Sequence, residues 1–317
     1  MMVLRSALFV PGNNMRMITK ATTLPADAIV FDLEDAVPLP DKETARIMIR
    51  DSIALVKSTG SYVFVRINAL TTGLTAEDLK SVVMDGLDGL LIPKAESKSD
   101  VLKVSRMLEA KEKDRGLEVG SVRLIPLAET AKGIVNAYEI ASASERVVAL
   151  AFGAGDYYRD LGRSTASISP EQTEFLYARS QTVVSSRAAG VQSLDTVFFG
   201  LLTDTEGFNK EALLALQLGF TGKFLIHPTQ IEVTNKIFSP APDEVDYARK
   251  VVEAFEEAQS RGLGAVSLAG KMIDIMSYRQ AKDLVNFADI IAEKEAKRKG
   301  AAAISLSKFF TTGQRRD

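Results

Sequence analysis

The sequence predicts an α/β protein in which a (β/α)8 TIM barrel is followed by a C-terminal helical extension. Eight short apolar runs alternate with amphipathic helical stretches, and eight such units favour a closed barrel over an open doubly wound sheet. One of these runs ends in three acids, Asp32, Glu34 and Asp35, as expected where a strand buried on both faces reaches the barrel mouth. The predicted strands cover 7–10, 28–33, 62–67, 89–93, 122–127, 147–152, 193–199 and 223–226.

The strand–helix alternation stops near residue 239, so we predict two parts of the chain. Residues 1–238 form the barrel, and residues 239–317 form the helical extension. Within the extension, 243–260 and 271–297 have the pattern of long, charge-rich amphipathic helices without strands. The glycine fingerprints of dinucleotide-binding and P-loop folds are absent from the sequence.

Composition excludes several classes of protein. The 317 residues are 46% hydrophobic and carry a formal net charge of -2, so nothing favours a nucleic-acid partner. Without cysteine the chain has no disulfide, thiolate metal site or cysteine nucleophile. No apolar stretch is long enough to span a membrane, and the N-terminal apolar segment is too short for a signal peptide. We therefore expect a cytoplasmic protein with no membrane or nucleic-acid partner.

Polar residues at the C-terminal ends of the predicted strands mark a candidate site, because these ends converge on the active face of a barrel. They are Asp32, Glu34, Asp35, Arg66, Lys94, Glu129, Asp156, Asp195 and His227. A set dominated by carboxylates suits a hard cation such as Mg²⁺. A zinc site built on histidines is excluded because His227 is the only histidine.

Eight motifs in order give the sequence a strong family resemblance. They are LRSALFVPG (4–12), FDLEDAV (31–37), VRIN (65–68), LIPKAE (91–96), LIPLAET (124–130), AFGAGD (151–156), FLIHP (224–228) and GKMID (270–274). Together they resemble the citrate lyase β-subunit family, also called the HpcH/HpaI aldolase superfamily, which includes malyl-CoA and citramalyl-CoA lyases. The resemblance is specific for the family and much less so for the substrate.

The resemblance implies an enzyme, a Mg²⁺-dependent carbon–carbon lyase, with Mn²⁺ as the second candidate cation. It would cleave a citryl-CoA-type 3-hydroxyacyl thioester to a 2-oxo acid and acetyl-CoA. Malyl-CoA and citramalyl-CoA remain alternative substrates, and a (3S)-malyl-CoA thioesterase or a non-catalytic CoA-metabolite binding protein remain alternative functions. Free CoA thioesters are favoured over acyl-carrier-protein thioesters, and the implied assembly is a homotrimer or hexamer.

The same resemblance assigns roles to individual residues of the catalytic barrel domain. Glu129 and Asp156 match the metal ligands, and Arg66 matches an arginine suited to the thioester oxygen or the substrate carboxylate. Glu34 and Asp35 would orient metal-bound water and Arg66, whereas Asp32 would brace the end of its strand. Asp274 would come from the extension of a neighbouring subunit to exchange a proton with the acetyl-CoA enolate carbon.

Further positions match contacts of the family with CoA or substrate. They are Phe9, Asn14, Lys20, Arg66, Gly155, Ile226, His227 and Pro228. The only histidine, His227, is interpreted as a turn residue rather than as a base. Gly155 departs from the pattern of the family, because many relatives carry an acid directly before the metal-binding aspartate. This difference weakens the assignment of the substrate and leaves the assignment of the metal ligands intact.

Overall fold

The computed structural model describes residues 2–312 and the side chains of residues 2–300, and it confirms the predicted (β/α)8 barrel. Parallel strands run in sequence order around the closed sheet, and β8 pairs with β1, with Ser6 opposite Lys223. The strands are β1 Ser6–Pro11, β2 Ala28–Asp32, β3 Tyr62–Arg66, β4 Gly89–Ile92, β5 Arg123–Ala128, β6 Ala149–Phe152, β7 Gln192–Asp195 and β8 Gly222–Leu225.

Helices follow the strands on the outside of the barrel, as expected for parallel strands joined by crossovers. They are α1 Met15–Ala21, α2 Lys42–Lys57, α3 Thr75–Val82, α4 Lys98–Arg115, α5 Ala131–Val135, α6 Ala137–Ala141, α7 Ala154–Asp160, α8 Leu176–Ala189, α9 Thr205–Leu218 and α10 Ile231–Ile237. No helix in the described residues is both long and apolar enough to cross a membrane.

The barrel interior is a packed apolar core that supports the site above it. Its buried members include Val30, Phe64, Leu91 and Ile125 from neighbouring strands. The closure between β8 and β1 requires a glycine. A Cβ atom on Gly222 would lie 1.9 Å from the carbonyl oxygen of Leu4, so a larger residue there would force the strands apart.

The chain divides after Lys236 into two compact units. The second unit contains α11 Pro242–Ser260, β9 Val266–Leu268, β10 Lys271–Ile273 and α12 Ile275–Thr312. Its own core packs Val251, Phe255 and Ile273, and the ring of Phe255 stacks on that of Tyr278 at 4.8 Å. The proposed contact of this unit with a neighbouring subunit stays a prediction.

The prediction of helix from residue 271 was wrong for its first residues. Here β9 and β10 form an antiparallel hairpin, and α12 begins only at Ile275. Ala269 and Gly270, which connect the strands, have φ angles of 51° and 80°. Two left-handed residues match the twist of a tight hairpin, but alanine at the first position hides that turn in the sequence.

Candidate active site

A small cleft opens where the C-terminal ends of the barrel strands converge. It has a volume of about 170 Å³, and both carboxylates of the predicted metal site reach it. Its lining comprises Phe9, Arg66, Leu127, Glu129, Phe152, Gly153, Ala154, Gly155, Asp156, Thr196, Val197, Phe199 and Phe224. The barrel thus combines the predicted ligands Glu129 and Asp156 with Arg66 in one mostly apolar pocket.

Arg66 is fixed at the end of β3 by a two-point ion pair with Asp32. Its Nε and Nη2 atoms donate to the Asp32 carboxylate at 2.7 and 2.6 Å, and its guanidinium lies 4.9 Å from the centre of the Phe9 ring. Burial works to raise the pKa of Asp32, but Arg66 and the backbone N–H groups of Glu34 and Ala36 hold that pKa below its ordinary value. The two parallel hydrogen bonds fix the orientation of the guanidinium, so its permanent positive charge is held in a defined position.

This geometry corrects two roles that we inferred from the sequence. Asp32 caps the loop after β2, as predicted for a bracing residue, but it is also the main partner of Arg66. The Glu34 carboxylate is a second partner of Arg66, and its Oε2 atom lies 3.1 Å from Nη1 of Arg66. The mostly exposed side chain of Asp35 lies 3.6 Å from Lys94, and in the described part of the chain it forms no ion pair with Arg66.

Glu129 at the end of β5 is a buried carboxylate in a crowded setting. Its Oε1 accepts the backbone N–H of Lys94 at 2.7 Å. A Cβ atom on Gly153 would lie 2.5 Å from its Oε2, so glycine at 153 leaves this oxygen its space. Burial raises the pKa of Glu129 to about 8, and the nearby carboxylates of Glu34 and Asp156 add to the effect.

Asp156 lies in the first turn of α7, directly above the end of β6. Its carboxylate is mostly shielded from solvent, lies 3.3 Å from Nζ of Lys94, and also pairs with Arg159. The preceding Gly155 faces the ring of Phe199, which would lie 3.4 Å from a Cβ atom at that position. Phe199 therefore occupies the side of the cleft toward which a larger residue at 155 would point.

The residues of this cleft fit a hard divalent cation. Glu129 and Asp156 supply oxygen donors. Burial, and then the neighbouring carboxylates, raise the pKa of Glu129, and a bound cation would stabilise its charged form. Among the side chains that the structure describes, those of residues 2–300, no group of three or more histidine or acidic residues is arranged to hold a metal ion. Two protein carboxylates would leave the other octahedral positions to water and substrate.

Sequence reasoning missed a role for Lys94, which follows β4. It stood among the strand-end residues and within the LIPKAE motif, but we assigned it no function. In the structure its backbone N–H binds Glu129, and its ammonium pairs with Glu34 and lies 3.3 Å from Asp156. The position of Lys94 at a strand end was the available signal. The contacts of Lys94 depend on its φ angle of 49°, which the sequence does not reveal.

The remaining predicted CoA contacts of the barrel lie outside the lining of this cleft. Asn14 caps α1 by accepting the N–H of Met17, and Lys20 borders a shallow depression on the same helix. His227 belongs to a turn in which its Nδ1 atom lies 2.8 Å from the Thr229 hydroxyl. The N–H groups of Ile226 and His227 donate to the side chain of Gln230, and Pro228 continues this turn.

Asp274 lies in the second compact unit, immediately before α12. Its carboxylate accepts hydrogen bonds from the backbone N–H and the hydroxyl of Ser277 at 2.8 and 2.9 Å. These hydrogen bonds hold its pKa below the ordinary value. The group is therefore a carboxylate at neutral pH, oriented by its own helix.

Asp195 does not belong to the cleft, contrary to the expectation from its strand-end position. It is fully buried and binds Nε of Arg179 and Nζ of Lys223, both at 2.9 Å. Burial works to raise its pKa, but these two cations keep the pKa of Asp195 below its ordinary value. Glu211 completes this internal ion network by pairing with Lys223, so the role of Asp195 is structural.

We expect Asp195→Asn to lower the free energy of unfolding by about 3–5 kcal/mol, because removing one partner leaves buried charges uncompensated. Urea unfolding of the variant and the parent measures the difference. Mg²⁺ affinity of the folded variant should stay unchanged, which separates this residue from the cleft. A loss of cation binding without a loss of stability would return Asp195 to the site.

The raised pKa of Glu129 predicts a pH-dependent stability of the metal-free protein. The folded state holds this proton up to a pKa of about 8, against an ordinary value of 4.5. The stabilisation from this bound proton is therefore complete below pH 4.5 and is lost as the pH rises through 8, on the order of 5 kcal/mol. Urea unfolding in a chelator, from pH 5 upward, should show this fall in wild type and a flatter profile in Glu129→Gln. Equal slopes would contradict it.

Comparison with known proteins places this geometry in a family. Residues 5–228 match the model of the HpcH/HpaI aldolase/citrate lyase family. The chain is 42% identical to citrate lyase subunit beta of Escherichia coli K12, covering 92% of this chain and 95% of that protein. It is 33% identical to human mitochondrial citramalyl-CoA lyase, with coverages of 92% and 87%.

A solved structure agrees with the sequence relatives. The protein CitE from Mycobacterium tuberculosis, in complex with magnesium, acetoacetate and coenzyme A, is 30% identical. It superposes with a TM-score of 0.67 and covers 90% of this chain and 97% of its own. With the barrel, the cleft and these relatives in agreement, the chain belongs to the HpcH/HpaI aldolase/citrate lyase family.

Proposed function

We propose that the protein is a Mg²⁺-dependent carbon–carbon lyase that cleaves a citryl-CoA-type thioester to a 2-oxo acid and acetyl-CoA. The observation that carries the proposal is the position of Glu129, Asp156 and Arg66 around one cleft at the barrel mouth. Relatives named as citrate lyase subunits and as citramalyl-CoA lyase support the reaction class. The magnesium and coenzyme A in the CitE complex support the cofactor and the thioester carrier.

Glu129 and Asp156 would hold the cation, each through carboxylate oxygens that face the cleft. When bound, Mg²⁺ supplies Lewis-acid polarisation of the carbonyl that forms as the carbon–carbon bond breaks. Arg66 is already fixed by Asp32 before substrate enters. Its positive charge can therefore stabilise the thioester oxygen, where enolate charge develops, without any rearrangement of the protein. The apolar rings of Phe9 and Phe224, 4.9 Å apart, exclude water from one wall of the cleft.

Asp274 is proposed as the group that exchanges a proton with the methyl carbon of acetyl-CoA. Its hydrogen bonds from Ser277 favour the carboxylate form, which suits removal of that proton in the synthetic direction. The delivery of Asp274 by a neighbouring copy, in a homotrimer or hexamer, forms part of this proposal. We also propose a cytoplasmic location and free CoA, rather than an acyl carrier protein, as the carrier of the substrate.

A product assay with purified protein and Mg²⁺ tests the proposal against its main alternative. Citryl-CoA, malyl-CoA and citramalyl-CoA are offered separately, and the 2-oxo acid and acetyl-CoA are measured independently. The lyase should release both in equal amounts from its preferred substrate. Release of free CoA with the hydroxy acid intact would identify a thioesterase and overturn the proposal, and binding without product would identify a non-catalytic protein.

A further inference from the structure

Lys94 contacts the carboxylates of the cleft through two different groups. Its φ angle of 49° lies in the left-handed region, which is uncommon outside glycine, asparagine and aspartate. This conformation directs its backbone N–H to Oε1 of Glu129 at 2.7 Å. Its side-chain ammonium pairs with Glu34 and lies 3.3 Å from Asp156.

Glu34 has the properties of a third cation ligand but is held away from that role. It is a buried carboxylate, and its Oε2 atom accepts no hydrogen bond, although Nη1 of Arg66 lies 3.1 Å away. Burial raises the pKa of Glu34 although Arg66 and Lys94 oppose the rise. The ammonium group of Lys94 contacts both Glu34 and Asp156.

We propose that Lys94 is a positioning residue that keeps Glu34 out of the ligand set of the cation. A third carboxylate would occupy coordination positions that the substrate needs, and its charge would weaken the Lewis acid. The ammonium satisfies Glu34 in place of a metal, while the backbone N–H of the same residue orients Glu129. This inference rests on the Mg²⁺ site proposed above.

The test measures Mg²⁺ affinity by calorimetry on the full-length protein without substrate. Lys94→Gly removes the ammonium and keeps the left-handed backbone, because glycine adopts positive φ readily. With Glu34 released from the ammonium and able to reach the cation, we expect the Mg²⁺ Kd to fall about tenfold, since added ligand charge tightens such sites. We expect kcat to fall by at least about tenfold, because a coordination position is lost to the substrate.

Three further variants separate ligand exclusion from the removal of a positive charge. In the double variant Lys94→Gly/Glu34→Gln, the Mg²⁺ Kd should return to the wild-type value. Arg159→Gln is the matched control because Arg159 pairs with Asp156 from an exposed position and forms no ion pair with Glu34 in the described residues. Its Mg²⁺ Kd should change by less than about twofold. Lys94→Arg, which retains a cation, should also stay near wild type.

Several results would overturn the inference. They are an unchanged or weaker Mg²⁺ Kd in Lys94→Gly, persistent tightening in the double variant, or equal tightening in Arg159→Gln. Lys94→Asn, which also tolerates positive φ, replaces the glycine variant if thermal unfolding shows that the latter is not folded. If the unaltered protein binds no Mg²⁺, the proposed function fails with the inference; normal binding with no tightening in Lys94→Gly defeats the inference alone.

Discussion

Glu129→Gln is expected to lower kcat/KM by about a thousandfold at saturating Mg²⁺, because Lewis-acid assistance supplies several kcal/mol and each 1.4 kcal/mol is about tenfold. The amide keeps the shape of the side chain and an oxygen that can accept the N–H of Lys94. The fold should therefore persist while the charge proposed to attract the cation is lost. Steady-state kinetics and Mg²⁺ calorimetry measure the two effects, and Asp156→Asn should behave similarly.

The matched control is Glu96→Gln, two residues beyond Lys94 on the same loop. The Glu96 carboxylate pairs with Lys132 at 3.2 Å, and both side chains are substantially exposed. Exposed pairs contribute about 0–1 kcal/mol, so this variant should retain the parent turnover and Mg²⁺ affinity. If Glu129→Gln also retained both, Glu129 would be removed from the ligand set, and the proposed cation site would fail with it.

The barrel was predictable because parallel strands buried on both faces give continuous apolar runs. β2 is an example: its residues are all buried, and the acids begin where the strand ends. The short strands β9 and β10 have no such pattern. Three residues are too few to show alternation, and Lys271 to Ile273 read equally well as the start of the helix that follows. Local turn geometry at Ala269, rather than composition, forms that hairpin.

The convergence of Arg66, Glu129 and Asp156 at the barrel mouth was predictable from their strand-end positions, but the pairing of the charges was not. Asp32 and Arg66 are direct neighbours in the register of β2 and β3, and Asp195 is opposite Lys223 between β7 and β8. The register follows from how the whole sheet closes, which no short stretch of sequence specifies. The same strand-end position therefore gave Arg66, which lines the cleft, a buried partner in Asp32 and gave Asp195 partners in a buried ion network.

The Asp32–Arg66 pair allows catalysis and stability to be separated. Arg66→Met should lower the free energy of unfolding at neutral pH by about 3–5 kcal/mol, because Asp32 would remain buried and charged without its partner. It should also lower kcat/KM by about a hundredfold or more, since the charge proposed to stabilise the enolate oxygen is lost. Urea unfolding and steady-state kinetics on the same preparation measure both effects.

The double variant Asp32→Asn/Arg66→Met decides what the activity loss means. Removing the second charge should recover most of the lost stability, because no unpaired buried ion remains. Activity should stay low, since nothing replaces the guanidinium that faces the cleft. Arg66→Lys should also fail to restore turnover, because an ammonium cannot reproduce the two parallel hydrogen bonds by which the guanidinium is fixed to Asp32. Recovery of turnover in the double variant would mean that Arg66 only neutralises Asp32, and the enolate oxygen would need another positive partner.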